Sequence, residues 1–123
     1  MKKITFILLI ISISSCYSSI TMDGFDKEQW VTYEEDCSTY RLDISDLIIE
    51  QQDVILKGTQ NEIESLLGKP SEHELYNRNQ KFFHYRLTPP DECGAYETVQ
   101  YLSIRFNAIG RANLVQVMLR EPT

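Results

Sequence analysis

Histidine, cysteine and glycine are scarce in this chain of 123 residues, which contains two, three and five of them respectively. No two of the histidines and cysteines lie at the close spacing of a zinc-binding motif. The only Gly-Lys pair, Gly68-Lys69, lacks the further glycines and the hydroxyl residue of a phosphate-binding loop. The acidic clusters at 34–36 and 91–92 lack the spaced oxygen ligands and the glycine of a calcium loop. The sequence therefore predicts no catalytic centre, no metal site and no bound cofactor.

The two histidines do not fit the pattern of a catalytic base. His84 lies in an alternating segment, on the face opposite Phe83 and Tyr85, and we interpret it as a surface or edge histidine. His73 lies between two glutamates shortly after a proline, which is typical of a solvated turn. An enzyme is therefore the least favoured class of function.

Positive charge is also in short supply, with 12 lysines and arginines against 18 aspartates and glutamates. Lys2 and Lys3 precede Cys16, and every acidic residue follows it. A chain that begins at Cys16 thus has ten basic and 18 acidic residues, a net charge of −8. This balance argues against nucleic acid as a partner and against electrostatic docking on anionic lipid headgroups.

No apolar run is long enough to cross a membrane. The longest, Ile4 to Ile11, follows Met1-Lys2-Lys3, whereas a span of the ~30 Å hydrocarbon core needs roughly 20 residues. A basic start followed by a short apolar centre indicates a secretory signal instead.

The end of this signal, Ile13-Ser14-Ser15-Cys16, resembles the lipobox of bacterial lipoproteins. The resemblance implies that residues 1–15 are removed and that Cys16 becomes the lipidated first residue. The alternative is an ordinary secreted protein. Each buried methylene contributes about 0.8 kcal/mol, so two or more acyl chains anchor a protein without a spanning helix. Tyr17, rather than aspartate, follows the cysteine, and by resemblance to enterobacterial sorting this implies the outer membrane, with the protein facing the periplasm.

Residues 16–36 are rich in Ser, Thr, Gly, Asp and Glu and show no clear period. We expect a lipidated cysteine followed by a flexible tether, with the folded domain over residues 37–123. About 20 residues of coil would reach on the order of 25 Å. Trp30 is interpreted as packing on its own domain, and the alternative is an anchor that binds a partner.

The two remaining cysteines, Cys37 and Cys93, form an even pair in an oxidising compartment, which predicts a disulfide. The bond closes 57 residues, and the chain-entropy model gives it about 4 kcal/mol of stabilisation. The alternative is a zinc site formed by these cysteines with His73 and His84.

Two helices are predicted in the first half of the domain. Ile44, Leu47 and Ile48 share one helical face and predict a helix over 42–51. Thr59 and Glu62 form a capping box, and Gly68 followed by a proline provides a stop signal, which together predict a helix over 60–67.

Strands follow, because the apolar period changes from helical spacing to alternation. The segments KFFHYRL, VQYLSIRF and NLVQVML alternate, and a further short strand over 72–76 is expected. The residues 107–110 form a turn, so the last two strands should make an antiparallel hairpin. The sequence thus predicts an α+β fold, with two short helices on one face of a three- to four-stranded antiparallel sheet.

A family resemblance covers residues 41–119. The lipoprotein signal, the segment LKGTQNEIESLLGKP, and the later LSIRFNAIGR resemble the BamE (SmpA/OmlA) outer-membrane lipoproteins, whose domain is similar to β-lactamase-inhibitor-protein repeats. The resemblance implies a membrane-anchored, non-catalytic protein-binding or scaffold module in outer-membrane assembly or maintenance, with an envelope protein as partner. The alternative is an inhibitor or ligand-capture protein on the inhibitor-like fold.

Overall fold

The computed structural model describes residues 20–121, so Cys16 and the predicted signal segment 1–15 lie outside the described residues. Those described form an α+β fold with four helices and a four-stranded antiparallel sheet, as the sequence predicts at the level of fold class. The helices are α1 (Lys27–Val31), α2 (Tyr40–Glu50), α3 (Gln52–Ile55) and α4 (Gln60–Leu67), and the strands are β1 (Glu72–Tyr76), β2 (Gln80–Arg86), β3 (Val99–Phe106) and β4 (Ala112–Arg120). Within residues 20–121, no helix has the length and apolar content needed to cross a bilayer.

The sheet is a meander in which each strand pairs with its neighbour in sequence, in the order β1-β2-β3-β4. Phe83 pairs with Ile104 and Tyr85 with Leu102, so these four side chains share one face. Ile104 in turn pairs with Val115 on β4. The predicted faces of β2 and β3 and the predicted β3–β4 hairpin are therefore confirmed.

One hydrophobic core lies between this sheet face and the helices. Its fully buried aliphatic and aromatic side chains come from both layers: Trp30, Ile48, Ile55, Ile63, Leu67, Phe83, Tyr85, Leu87, Leu102, Ile104 and Phe106. The helices therefore cover only one face of the sheet.

The helix α4 has the bounds that its local signals predict. The Thr59 hydroxyl accepts a hydrogen bond from the Glu62 backbone N–H, and the Glu62 carboxylate accepts one from the Thr59 N–H. Gly68 has a φ of +75° and ends the helix. The Tyr85 hydroxyl donates to the Gly68 carbonyl at 2.9 Å, which ties the helix end to the sheet.

The other helices depend on tertiary packing. The helix α2 covers residues 40–50, close to the predicted 42–51. The four-residue helix α3 was not predicted, because a single turn is too short to display a period.

The prediction of a flexible tether is wrong for residues 20–36. Asp26 caps α1 by accepting hydrogen bonds from the backbone N–H groups of Glu28 and Gln29. Trp30 is completely buried and its indole N–H donates to the Leu67 carbonyl at 2.8 Å, so it packs on its own domain. The domain therefore extends to the N-terminal side of the predicted boundary at residue 37. The apolar side chains of this segment are too widely spaced to show a period, although they complete the core.

Arg41 connects this N-terminal segment to the sheet. Its guanidinium lies 3.6 Å from the ring centre of Tyr33 and 4.4 Å from that of Trp30. It donates to the backbone carbonyls of Trp30 and Arg86 at 2.8 and 2.9 Å. Burial lowers the pKa of Arg41 to about 10, so it stays charged at neutral pH, where the aromatic faces and the carbonyls stabilise it.

The predicted Cys37–Cys93 disulfide is present, with the two Cα atoms 5.6 Å apart. It links the loop after α1 to the 3-10 turn Asp91–Cys93 between β2 and β3. The alternative zinc site is contradicted, because both sulfurs are used in the bond.

Candidate functional site

The sheet face opposite the helices, here called the open face, contains the side chains, polar and apolar, that alternation along each strand places away from the core. Its members follow from the strand register. They are Glu72, Glu74 and Tyr76 on β1, Gln80, Phe82, His84 and Arg86 on β2, Val99, Tyr101, Ser103 and Arg105 on β3, and Leu114, Gln116, Met118 and Arg120 on β4.

A hydrogen-bonded chain of three side chains crosses the open face. The His84 Nε2 atom lies 2.8 Å from Glu74 Oε2, and its Nδ1 atom lies 2.6 Å from Ser103 Oγ. An ionised carboxylate only accepts, so Nε2 carries a proton, and in the neutral imidazole Nδ1 then accepts from the Ser103 hydroxyl. The chain thereby connects β1, β2 and β3.

The interpretation of His84 as a surface histidine is wrong, since only 1% of the residue is exposed. The Phe82 ring stacks on the imidazole with centroids 5.4 Å apart, and Tyr101 approaches it edge-on at 6.5 Å. Alternation assigns the face of a side chain correctly, but neighbouring aromatic rings decide whether that side chain meets water.

A serine, a histidine and a carboxylate joined by hydrogen bonds also form the catalytic triad of many hydrolases. The geometry disfavours hydrolysis here. Ser103 is completely buried in the middle of a central strand. A nucleophile has to reach the substrate, and here the Phe82 and Tyr101 rings flank the chain. The arrangement satisfies buried polar groups and fixes the strand positions.

The charged groups at one side of the open face are paired with each other. Arg120 contacts Glu72 at 2.6 Å and lies 4.7 Å above the Tyr101 ring, while Arg86 contacts Asp91 at 2.9 Å. Burial alone would lower the pKa of Arg86, but the hydrogen bond and charge of Asp91 outweigh it and raise that pKa above the usual value. Together with Glu121, these side chains line a cleft of about 130 Å³ in which both arginines are already paired with carboxylates.

The two edges of the sheet differ in length and charge. The β1 edge has five residues, two of them glutamates, and Leu75 on it is 79% exposed. The β4 edge has nine residues, and its one charged residue, Arg120, is the last. On the helix side of this strand, Val117 is 37% and Leu119 is 66% exposed, because the helices do not extend over them.

The remaining residues singled out by the sequence are distributed without forming a joint site. Cys16, the predicted lipid attachment residue, lies outside the described range. His73 is an exposed residue of β1, rather than of a turn, and approaches Phe83 edge-on at 5.2 Å. Among residues 20–121, no group of three or more His, Cys, Asp or Glu side chains has the arrangement of a metal site.

Sequence reasoning missed Glu74 and Ser103 as the partners of His84. Alternation did place His84 and Ser103 on the outward faces of their strands, which was the available signal. The register that puts them opposite each other depends on the length of the β2–β3 connection and on the packing of both strands.

Comparisons with protein-family models, with curated proteins and with solved structures found no match to this chain.

Proposed function

We propose that this protein is a membrane-anchored envelope lipoprotein that acts as a non-catalytic protein-binding or scaffold module, of the kind the BamE-like resemblance implies. The lipobox-like segment supports the anchor on Cys16, and Tyr17 after it, by resemblance to enterobacterial sorting, supports an outer-membrane location facing the periplasm. The observation that carries the binding role is the unprotected edge of β4.

From Leu114 onward, the β4 edge lacks the features that normally keep an edge strand from pairing. Before Leu114 the register shifts opposite Arg105 and Phe106, and Ala112 bonds to the backbone of Lys57 and Gly58. Natural sheets protect their edges with charges, prolines, bulges or short strands. The strand β1 is short and has two glutamates, whereas the nine residues of β4 have no charge before Arg120 and no proline. An extended segment of a partner can add to such an edge through backbone hydrogen bonds, and exposed Val117 and Leu119 supply apolar contacts beside it.

The open face is a weaker candidate for the contact. Its central polar groups bond to each other, and its charged residues Glu72, Arg86 and Arg120 are in ion pairs, so a partner would have to break existing interactions. The β4 edge can be occupied without that cost.

Photocrosslinking in cells tests the binding role directly. A photoreactive amino acid at Leu119 is compared with one at Glu50, an exposed position on α2. We expect a discrete crosslinked species from position 119 and none from position 50. Equal crosslinking at both positions, or none at either, would contradict the proposal.

A charged residue introduced on the β4 edge tests whether that edge itself binds the partner. Leu119→Lys should leave folding intact, since Leu119 is largely exposed, and should abolish the crosslink made from the neighbouring position 117. Leu75→Lys on the β1 edge is the matched control and should leave that crosslink unchanged.

The anchor is tested separately by metabolic labelling with a fatty-acid probe. The wild-type chain should be labelled and Cys16→Ser should not. Equal labelling of the two would remove the anchor from the proposal. If the species crosslinked at Leu119 contains a single secreted hydrolase, the alternative of an inhibitor protein replaces the scaffold role.

A further inference from the structure

Half of the basic side chains in the described residues are gathered at one end of the sheet. In a meander, the β1–β2 and β3–β4 turns lie at the same end, and here these are residues 77–79 and 107–111. The group, here called the basic end, consists of five of the ten lysines and arginines in residues 20–121: Lys57, Arg78, Lys81, Arg105 and Arg111.

The charge of the basic end is mostly uncompensated. Among residues 20–121, Glu62 is the one carboxylate in ion-pair contact with this group, 3.9 Å from Arg111. Lys81 and Arg105 donate instead to neutral amide oxygens, those of Gln60 at 3.1 Å and Asn113 at 3.0 Å. A positive field therefore remains at this end of a body with a net charge of −8.

An apolar groove opens beside these charges. Leu56, Ile109 and Ala112 contribute its apolar surface, and Lys57 and Arg111 also line it. Ile109, at the tip of the β3–β4 turn, is 82% exposed, an unusual position for a large aliphatic side chain in a turn. The groove has a volume of about 600 Å³, which is enough to admit one or two side chains of a partner.

Lys57 has a backbone conformation that favours glycine, with φ at +69°. Its N–H donates to the Ala112 carbonyl at 2.7 Å, and its own carbonyl accepts from Arg111 at 3.2 Å, so the conformation is fixed. The Lys57 ammonium has no hydrogen-bond or ion-pair partner in the described part of the chain. The chain keeps a lysine at a position where glycine would be less strained, which supports a binding role for the exposed ammonium group.

From these observations we infer that the basic end binds an acidic segment of the protein partner, with an apolar side chain of that segment in the groove. The inference rests on the proposed function and names the chemistry of the partner. Carboxylates of the segment meet Lys57 and Arg111, and Ile109 closes over the apolar side chain.

An acidic segment fits better than an anionic membrane surface. Charges are screened beyond roughly 10 Å, so a narrow segment at the basic end is affected mainly by the local positive field. A flat bilayer brings a broad anionic surface toward the acidic remainder of the body as well, which opposes docking.

The test measures the affinity of a fluorescent synthetic peptide that alternates glutamate and leucine, by anisotropy, with the full chain in neutral detergent. We expect saturable binding that weakens as salt is added. A peptide with serine in place of leucine, and one with lysine in place of glutamate, should both bind at least about tenfold more weakly.

Two matched variants separate binding from folding. Lys57→Asn removes the charge, and asparagine tolerates a positive φ, so the fold should be kept while the affinity falls about three- to fivefold. Lys69→Asn makes the same change at an exposed site beyond the other end of α4 and should leave the affinity unchanged.

A third variant tests the apolar groove. Ile109→Ser, at the exposed tip of the β3–β4 turn, should lower the affinity about tenfold.

Each other outcome overturns the inference. Failure of the peptide to bind, or equal affinity for the wild type and Lys57→Asn, removes the basic end as a binding site. Binding to phosphatidylglycerol added to the micelles, sensitive to Lys57→Asn and without peptide binding, assigns the basic end to a membrane surface instead. The crosslink expected at Leu119 does not depend on these results, so the proposed function stands or fails separately.

Discussion

At the scale of single residues, His84 shows how a polar side chain is kept on the uncovered face of a sheet. Both of its ring nitrogens have partners, and two aromatic rings exclude water from it. A buried polar group stabilises a fold only when its hydrogen bonds are complete, so each partner of this histidine matters.

Removal of the Ser103 hydroxyl should therefore destabilise the domain. Ser103→Ala leaves the buried Nδ1 atom without a partner, and we expect a loss of about 1–3 kcal/mol in the free energy of unfolding, measured by urea titration. The double variant Ser103→Ala with His84→Phe removes both members of the pair and should recover much of the loss. A double variant less stable than the single one would show that the imidazole has a further role.

At the scale of elements, the helix ends contain most of the local sequence information. Asp26 caps α1, and hydrogen bonds from the Gln29 side chain and from the backbone N–H groups of Gln29 and Glu28 lower its pKa below the ordinary value of 3.8. An ionised cap favours the folded state, because its carboxylate accepts these bonds and interacts with the positive end of the helix.

This lowered pKa predicts a pH dependence. The folded-state pKa of Asp26 lies below its unfolded value, so its contribution is complete above about pH 4 and is lost as the pH falls through the folded value. The difference in melting temperature between the wild type and Asp26→Asn should therefore be present at neutral pH and shrink on acidification. The same exchange at Asp46, whose side chain makes no hydrogen bond in residues 20–121, is the control. A difference that grows toward low pH would contradict the assignment.

The end of α4 gives a second prediction at this scale. Gly68 has φ +75° and ψ −170°, a region that is essentially restricted to glycine. A Cβ there would meet Val31 at an ordinary 3.5 Å, so the cost of Gly68→Ala is backbone strain, of the order of 1–3 kcal/mol. Thermal denaturation measures it, and Lys69→Ala, at the exposed neighbour, should change stability by less than about 0.5 kcal/mol. Equal stability of the two variants would show that the helix end can rearrange.

The elements divide into those that the sequence could predict and those that it could not. The bounds of α4 and β1 were predictable, because the capping box, the glycine stop and the switch to alternation are all local. The helix α1 was missed, since Trp30 and Tyr33 are buried by contacts with α4, Arg41 and the sheet that no local pattern reveals. The chain from Glu74 to Ser103 was missed for the same reason, because it depends on the register of three strands.

At the scale of the whole molecule, the N-terminal segment is held by three kinds of contact. Trp30 is packed in the core, Arg41 bonds to both the segment and the sheet, and the disulfide joins Cys37 to the β2–β3 loop. All three involve side chains of residues 30–41.

Reduction of the disulfide should consequently loosen this segment first. Cys37→Ser with Cys93→Ser should lower the free energy of unfolding by about 2–5 kcal/mol, as measured by chemical denaturation. Hydrogen exchange should increase in α1 before it increases in β3, because β3 is paired on both sides. Uniform acceleration throughout the domain would mean that the crosslink supports the whole fold rather than the segment.

The packing of Ile20 against the core has a geometric consequence for the anchor. Only four peptide steps separate Cys16 from Ile20, and covalent geometry limits their reach to about 14 Å. A lipid on Cys16 would therefore keep the domain beside the bilayer. The predicted 20-residue coil, in contrast, would have let the domain move through a much larger volume around the anchor. Any partner of the β4 edge or of the basic end would then have to present its contact surface within one domain diameter of the membrane.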